Sequence, residues 1–301
     1  MRETLACMLI VRLLGSTLAA CWLGVASLAP APTKAPTNCG AAWSPSGDRI
    51  AFHSDRRIRG VMSVYLMDPL GANVVALFDD SLYSGQPAWS PDGTVLAFSR
   101  GEANGARHIF LVAPDGTRLR QLTFGPGVAG WPAWSPDGKS IVFDWDPGTN
   151  LDVYRVAVSG GEPTRLTTDL ARDNLPKWSP RGSTIVFDSQ RNGHWDVLSM
   201  NADGTDQHAL VAGAVPVFAH SGDWILYQAS PTPQATNFFI MKADGSSARQ
   251  LTIGNHSDAS ASFSPDDKSI VFCSNRVGPF ELYRMSIDHG DVVQLTGTPS
   301  R

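Results

Sequence analysis

The sequence has few charged residues and no concentration of one sign of charge. Lys, Arg, Asp and Glu together make up 17% of its 301 residues, and the formal net charge is −4. A protein that binds nucleic acid through phosphate contacts needs a basic face. This composition therefore argues against a nucleic-acid partner.

Motifs of the common catalytic centres are also missing. The sequence contains no Gly-x-Ser-x-Gly nucleophile elbow, no His-Glu-x-x-His zinc motif and no glycine-rich phosphate loop. Asp-Gly pairs such as Asp203-Gly204 lack the ligand spacing of a calcium loop, which predicts hairpin turns instead. We therefore expect no cofactor.

Cysteine is scarce, and none of it has the spacing of a zinc or thioredoxin-like site. The four residues are Cys7, Cys21, Cys39 and Cys273. The first two lie in an apolar N-terminal segment, so only Cys39 and Cys273 are candidates for a structural role in a folded body.

The N-terminal segment predicts export. Arg2 and Arg12 precede an apolar run over 13–29, which is shorter than the roughly 20 residues of a permanent membrane span. We therefore assign 1–29 as a signal segment and expect a protein that is periplasmic or anchored at the cell envelope. Contact with a membrane is expected only through this segment or a lipid anchor.

Two interpretations of Cys21 stay open. Leu18-Ala19-Ala20-Cys21 resembles a lipoprotein box, in which the cysteine would be lipidated. The alternative is an ordinary cleaved signal with an incidental cysteine, since the residues after Cys21 stay apolar. Residues 30–37, rich in Pro, Ala and Thr, predict an extended linker before a body that covers 38–301.

An aromatic anchor recurs six times through the rest of the chain. The successive spacings are 46, 45, 44, 40 and 45 residues, and the anchors are Trp43, Trp89, Trp134, Trp178, Phe218 and Phe263. Each anchor strand is followed by a turn, such as Pro136-Asp137-Gly138, and by a β-branched strand ending in an aromatic residue, such as Ile141 to Phe143. A third strand, a second turn and a short fourth strand complete each unit.

A repeat of about 44 residues with four short strands is typical of propeller blades. One such sheet has two apolar faces that it can bury only against its neighbours. The sequence therefore predicts an all-β fold, a six-bladed β-propeller of four-stranded blades. Its inner strands would carry the anchors, with each aromatic ring buried between blades.

The run from Pro132 to Gly138, followed by Ile141 to Phe143 and later by Asp203-Gly204 in the next unit, resembles the WD40-like (PD40) repeat of TolB-type propellers. The resemblance covers about 38–297. It implies an envelope protein that binds other proteins. TolB proteins also carry an α/β domain before the propeller, and we expect this chain to lack one. Relatives with a hydrolase domain share the repeat, and we expect no such domain either.

Ligands of propellers bind at the ends of the central channel, on loops that differ between blades. The segments that enter the inner strands bring five candidates to one mouth: Trp131, Asp173, Asn174, His256 and Asp258. Trp131 stands outside the repeat pattern. Asp173 and Asp258 are candidates either for turn caps or for the ligands of a channel cation such as calcium.

The ends of the body need a tie, because the predicted ring opens between its first and last blades. Cys39 lies just before an inner strand, and Cys273 lies at the end of a second strand in the last unit. Both positions fall at the same edge of adjacent blades. In an oxidising compartment this predicts a Cys39–Cys273 disulfide.

The sequence therefore favours an exported envelope propeller that binds a protein or a peptide, or that serves as a scaffold, without catalysis. The alternative is a lyase or hydrolase with its site at the channel mouth. A third interpretation is an envelope scaffold that works as TolB does.

Overall fold

The strands follow the repeat that the sequence predicts. The computed structural model describes residues 35–102 and 104–297, so the predicted signal segment, Cys21 and residues 30–34 of the predicted linker lie outside the described residues. The described part contains strands and turns but no helix. No described segment thus forms a helix long and apolar enough to span a membrane.

Every repeat contributes four strands. In chain order they are β1 Asn38–Trp43, β2 Ile50–Ile58, β3 Val61–Met67, β4 Val75–Ala76, β5 Ser84–Trp89, β6 Leu96–Gly101, β7 Arg107–Val112, β8 Arg120–Gln121, β9 Val128–Trp134, β10 Ser140–Asp146, β11 Asp152–Ala157, β12 Thr164–Arg165, β13 Asp173–Trp178, β14 Thr184–Ser189, β15 Asp196–Asn201, β16 His208–Ala212, β17 Ala214–Phe218, β18 Trp224–Thr232, β19 Ala235–Lys242, β20 Arg249–Gln250, β21 Asp258–Phe263, β22 Ser269–Ser274, β23 Glu281–Ser286 and β24 Val292–Gln294. Neighbouring strands of one repeat pair antiparallel.

The predicted number of separate blades is wrong. The structure has four separate four-stranded blades, not six: β1–β4, β13–β16, β17–β20 and β21–β24. The second and third repeats instead form one eight-stranded sheet, because β7 and β9 pair in parallel where Arg107 lies opposite Val128. The Arg107 N–H donates to Gly127 O at 3.1 Å. The repeat period alone could not reveal this contact between consecutive repeats.

The tight turns close as their sequence predicts. In the turn after β5, the Gly93 N–H donates to Ser90 O, and Gly93 has a φ of 71°. Asp92 accepts hydrogen bonds from the Ser90 hydroxyl at 2.6 Å and from the Thr94 N–H at 3.0 Å. An Asp side chain that accepts such bonds stabilises the turn locally.

The core of the described part consists of six apolar clusters, five shared by two consecutive repeats and one shared by the first and the sixth. One of them joins Phe143 of the third repeat to β6 and β7 of the second, and another packs Phe187 of the fourth repeat against Val142 of the third. Both Phe side chains are fully buried. The stability of each repeat therefore depends on its neighbours, as in other repeat proteins.

The last cluster brings the two ends of the body together. Phe52 and Tyr65 of the first repeat pack with Val271 and Leu282 of the sixth. In addition, the Asn38 N–H donates to Phe280 O at 2.8 Å, across the same boundary. The first and sixth repeats are thus neighbours, and the chain closes a ring.

The anchors do not all occupy the predicted environment. Phe218 and Phe263 are buried, whereas Trp43, Trp89, Trp134 and Trp178 are half-buried and reach the space inside the ring. The indole N–H of Trp134 donates to Ala88 O at 3.1 Å, and that of Trp89 donates to Ala42 O at the same distance. The Trp134 indole thus connects β9 to β5, and the Trp89 indole connects β5 to β1.

Candidate functional site

Each inner strand has a bulge at the same position, near its start. The ladder with the second strand shifts there, and the bulged residue takes a positive φ between 47° and 60° in every repeat: Gly40, Gln86, Trp131, Leu175, Val215 and Ser260. Positive φ is costly for a bulky or β-branched residue such as Trp131 or Val215. Since the bulge recurs with the repeat, the ring geometry imposes it, and it turns the backbone N–H away from its own ladder.

Polar side chains of the second strands accept several of these N–H groups. Each of them comes directly after the aromatic residue of its second strand, as Asp144 follows Phe143. Asp144 Oδ2 accepts from the Leu175 N–H at 3.0 Å, and Asp188 accepts from the Val215 N–H at 2.8 Å through Oδ1. Each bond joins one repeat to the next, so these carboxylates act as latches between repeats.

The first two repeats use neutral groups for the same purpose. The Gln86 N–H donates to Nδ1 of His53 at 3.1 Å, and the Trp131 N–H donates to Oε1 of Gln86 at 3.1 Å. Burial lowers the pKa of His53 to about 4. The imidazole of His53 therefore stays neutral at physiological pH, and its Nδ1 can accept the hydrogen bond from the Gln86 N–H.

Inside the ring lies a cavity of about 400 Å³. Its wall is made mostly of apolar side chains of the inner strands, with the half-buried Trp anchors and the turn prolines, such as Pro91, at one end. A volume of this size falls in the range of ligand pockets. The cavity is the candidate binding channel.

One cation interrupts the apolar wall. Two residues after the bulge, the inner strands carry small or apolar side chains in four repeats and Ser in a fifth; the fourth repeat has Lys177. The Lys177 ammonium lies 6.0 Å from the centre of the Trp131 ring. Within residues 35–102 and 104–297 it forms neither an ion pair nor a hydrogen bond.

Two buried carboxylates flank this lysine. Burial raises the pKa of Asp144 to about 6 and raises the pKa of Asp188 well above its ordinary value. Burial also lowers the pKa of Lys177 to about 8, although both carboxylates oppose this shift. Lys177 of the channel wall thus has two buried carboxylates near it, and all three groups have displaced pKa values.

A second cavity of about 270 Å³ opens at the start of the inner strands and shares Gln86 and Trp131 with the channel wall. We call it the mouth pocket. Its polar lining includes Arg107, Arg172 and Asn174. The Arg107 guanidinium lies 4.0 Å from the centre of the Tyr83 ring. In the described part of the chain neither arginine side chain forms an ion pair or donates a hydrogen bond.

Two of the five residues that the sequence proposes at the mouth line these cavities. Trp131 lies between the channel and the mouth pocket, and Asn174 lines the mouth pocket, with its buried Oδ1 accepting no hydrogen bond. The structure thus brings Trp131 and Asn174 to one place. Their role as ligand contacts stays a prediction.

The other three line neither of these two cavities. Asp173 and Asp258 have no exposed surface; Asp173 pairs with Arg191 at 2.9 Å, and Asp258 pairs with Arg276 at 3.0 Å. His256 lies 3.4 Å from Asp258 Oδ1. Asp173 and Asp258 thus serve matching ion pairs in different repeats and do not meet in the channel. In the described ranges, no three His, Cys, Asp or Glu side chains are arranged to hold a metal.

Cys39 and Cys273 lie side by side where the first and sixth repeats meet, as a disulfide, with their Cα atoms 5.0 Å apart. That separation is typical of disulfides. Its presence in the cell stays a prediction, because it depends on the compartment in which the protein resides.

The search by motif missed Lys177, Asp144, Asp188, Arg107 and Arg172. A signal for Lys177 exists in the sequence: the fourth repeat has Pro-Lys-Trp-Ser where the second and third have Pro-Ala-Trp-Ser. A departure from the repeat at a position that faces the channel identifies a candidate contact. Asp144 and Asp188 occupy one repeat position and differ there from His53 and Cys273.

The loops around the channel mouth carry exposed apolar side chains. Strand direction places the loops before each inner strand, and the hairpins between second and third strands, on one side, which we call the mouth face. Its most exposed apolar residues are Phe124 (66% exposed), Leu170 (98%), Ile253 (84%) and Val277 (55%), and Ile58 and Val128 are less exposed. They lie on the face to which the mouth pocket opens, and exposed apolar residues on one face are typical of interaction sites.

Comparison with known proteins places this architecture in a family. The profile described as the TolB beta propeller domain matches residues 39–235, which is more than half of the chain. No curated protein matches the sequence.

Solved structures support the fold. TolB from Acinetobacter baumannii is 21% identical with a TM-score of 0.70, over 86% of this chain and 62% of that one. A protein assigned as TolB from Agrobacterium tumefaciens is 24% identical with a TM-score of 0.65, over 76% and 87%. Oligogalacturonate lyase from Vibrio parahaemolyticus is 16% identical with a TM-score of 0.57, over 86% and 77%. This chain thus spans less than two thirds of the Acinetobacter protein.

Similarity at these identities shows the fold alone, and the fold is shared by a lyase and by TolB proteins. The profile match is more specific, since it covers the first four repeats and part of the fifth. The chain therefore belongs to the TolB β-propeller domain family.

Proposed function

We propose that this protein is an exported envelope module that binds another protein or a peptide through its mouth face. The observation that carries the proposal is the set of exposed apolar side chains on the mouth face, above all Phe124, Leu170 and Ile253. Binding is favoured when a partner covers apolar side chains that are exposed to water. The signal-like segment 1–29 and the family's TolB members support the assignment to the envelope.

The channel supports a binding role as well. Its apolar wall with one unpaired ammonium matches the usual composition of a ligand pocket, in which few polar groups set the orientation. A macromolecular partner could cover the mouth face and insert a segment into the channel. The partner and its inserted segment would then contact different residues.

The mouth face can be tested with a matched pair of triple variants. One is Phe124→Ser, Leu170→Ser and Ile253→Ser; the other is Leu70→Ser, Val75→Ser and Leu119→Ser, which alters exposed apolar residues away from the mouth face. Both sets are exposed, so both variants should fold. Crosslinking in intact cells followed by purification should capture a partner with the wild type and with the second variant, but not with the first. Equal capture by both variants, or no specific partner of the wild type, would reject the proposal.

A second candidate function is a lyase or hydrolase acting in the channel. The observation that favours it is the combination of Asp144, with a pKa of about 6, and Lys177, with a pKa of about 8. Groups with such values can exchange protons near neutral pH. Turnover of oligogalacturonate or of peptides by the wild type, lost in Lys177→Met, would support it; inactivity of the wild type on both substrates would reject it for those classes.

A further inference from the structure

Among the described residues, the charged groups left without a partner around the channel and the mouth pocket are cations, whereas the buried Oδ1 of Asn174 is a neutral acceptor without one. Lys177 faces the channel, and Arg107 and Arg172 face the mouth pocket. None of the three has a carboxylate or carbonyl partner in the part of the chain that the structure describes. An ammonium without a partner at a half-buried position, such as that of Lys177, is unfavourable, and a ligand with acceptor groups would relieve that cost. The half-buried Arg107 and the exposed Arg172 would attract the same acceptor groups.

The acidic groups nearby are already engaged. Asp144 accepts from the Leu175 N–H, and Asp188 accepts from the Val215 N–H through both oxygens. In the mouth pocket, Asp146 accepts from the Gly148 N–H at 2.8 Å. Each of these carboxylates thus already accepts a hydrogen bond from a backbone N–H, whereas the three cations have no such partner in the described residues.

We propose that the channel and the mouth pocket take an acidic peptide segment, with one carboxylate on Lys177 and a second acidic group at Arg107 and Arg172. This rests on the proposed binding function and specifies its ligand. Trp131 lies between the two places and can pack against the segment. Guanidinium groups suit carboxylates because they can donate two parallel hydrogen bonds.

The same arrangement sets the pH dependence of binding. The groups that face Lys177 are Asp144 and Asp188, with Arg172 and the mouth-pocket Asp146 close to Asp144 and with His220 in the channel lining. A carboxylate ligand needs the charged ammonium and is repelled by charged Asp144. Affinity should therefore rise as the pH falls from 8 to 6, and it should fall further above 8 as Lys177 loses its proton.

The probe is a pair of immobilised octapeptide arrays. Both carry the same set of randomised sequences, except that two fixed positions hold Glu in one array and Gln in the other. The mature wild-type protein is applied at pH 6, 7 and 8.5. Lys177→Met and Arg172→Gln remove one cation each. Lys139→Met and Arg49→Gln are the controls, since both residues are exposed in turns that follow inner strands. Circular dichroism checks that each variant folds.

We expect wild-type binding to the Glu array alone, with a loss of at least about tenfold in affinity for Lys177→Met and a smaller loss for Arg172→Gln. Both controls should bind like the wild type. If Lys177→Met does not fold, Arg172→Gln alone decides. Equal signals on both arrays, no signal on either, or unchanged affinity of Arg172→Gln would overturn the inference. If the array experiment fails while the triple Ser variant at Phe124, Leu170 and Ile253 loses its partner, the acidic ligand is rejected and the mouth-face function stands.

Discussion

The backbone N–H of Leu175 donates a 3.0 Å hydrogen bond to Oδ2 of Asp144, and so connects the bulge of the fourth repeat to the second strand of the third. The donor is available because the bulge turns it out of its own ladder. The acceptor is almost fully buried. This bond couples the integrity of the ring to the charge of the channel wall.

Replacement of Asp144 by Ala should destabilise the protein by about 1–3 kcal/mol, because it leaves the buried Leu175 N–H without an acceptor. Asp144→Asn should cost less, since its amide oxygen can still accept. Urea denaturation at pH 7 measures both. If Ala proves as stable as Asn, the latch does not contribute.

The charge of Asp144 should also be visible in the pH dependence of stability. Its pKa is about 6 in the folded state, above the ordinary value of 3.8 that applies to the unfolded state. The folded state therefore keeps the proton up to a higher pH. The wild type should therefore lose stability relative to Asp144→Asn as the pH rises from 4 to 6, by up to about 3 kcal/mol. Parallel pH curves for the two proteins would contradict the burial of an ionisable carboxyl here.

Lys177 should show the opposite trend at alkaline pH. Its folded pKa of about 8 lies below the ordinary 10.5, so the unfolded state binds the extra proton between these values. The wild type should gain stability relative to Lys177→Met over that interval, by about 1–3 kcal/mol. Chemical denaturation at pH 7.5 and pH 10 gives the comparison. A constant difference would mean that the ammonium is fully hydrated.

Reduction of the Cys39–Cys273 pair should weaken the closure of the ring. The two residues are separated by 234 positions, and the chain-entropy estimate for such a loop is about 5 kcal/mol. Thermal unfolding of the exported protein with and without reductant tests this, with Cys39→Ser as the reference that reductant should not affect. Thiols at both positions in the unreduced protein would exclude the bond.

Removal of the Trp134 indole should cost about 2–4 kcal/mol, because it takes away packing between repeats and the hydrogen bond to Ala88 O. Trp131→Ala is the matched control, since its indole separates two cavities. The control should lose less stability in the same urea titration. Equal losses would show that the repeat anchor contributes no more than a cavity residue.

The repeat made most of the fold predictable, because a strand that ends in Phe143 or Phe187 can be aligned with its copies. The sheet organisation was not predictable in the same way. The parallel contact between Arg107 and Val128 depends on how two consecutive repeats approach each other, and this distance has no signature in either repeat.

The site was predictable only in part. Trp131 was found because it departs from the repeat, and Lys177 departs from it too but stands inside a strand and not in a loop. The sequence makes Asp173 and Asp258 candidates for turn caps or cation ligands, yet Arg191 and Arg276 reach them from the turns after the second strands. Which polar groups remain unpaired is decided by such contacts between strands.

The central claim is that the mouth face binds a partner, and site-specific photocrosslinking in living cells tests it most directly. A photoreactive amino acid is placed at position 124 on the mouth face or at position 70, where Leu70 is 76% exposed between the third and fourth strands of the first repeat. A discrete adduct with one protein from position 124, and none from position 70, is the predicted result. The same adducts from both positions, or none from position 124, would contradict it.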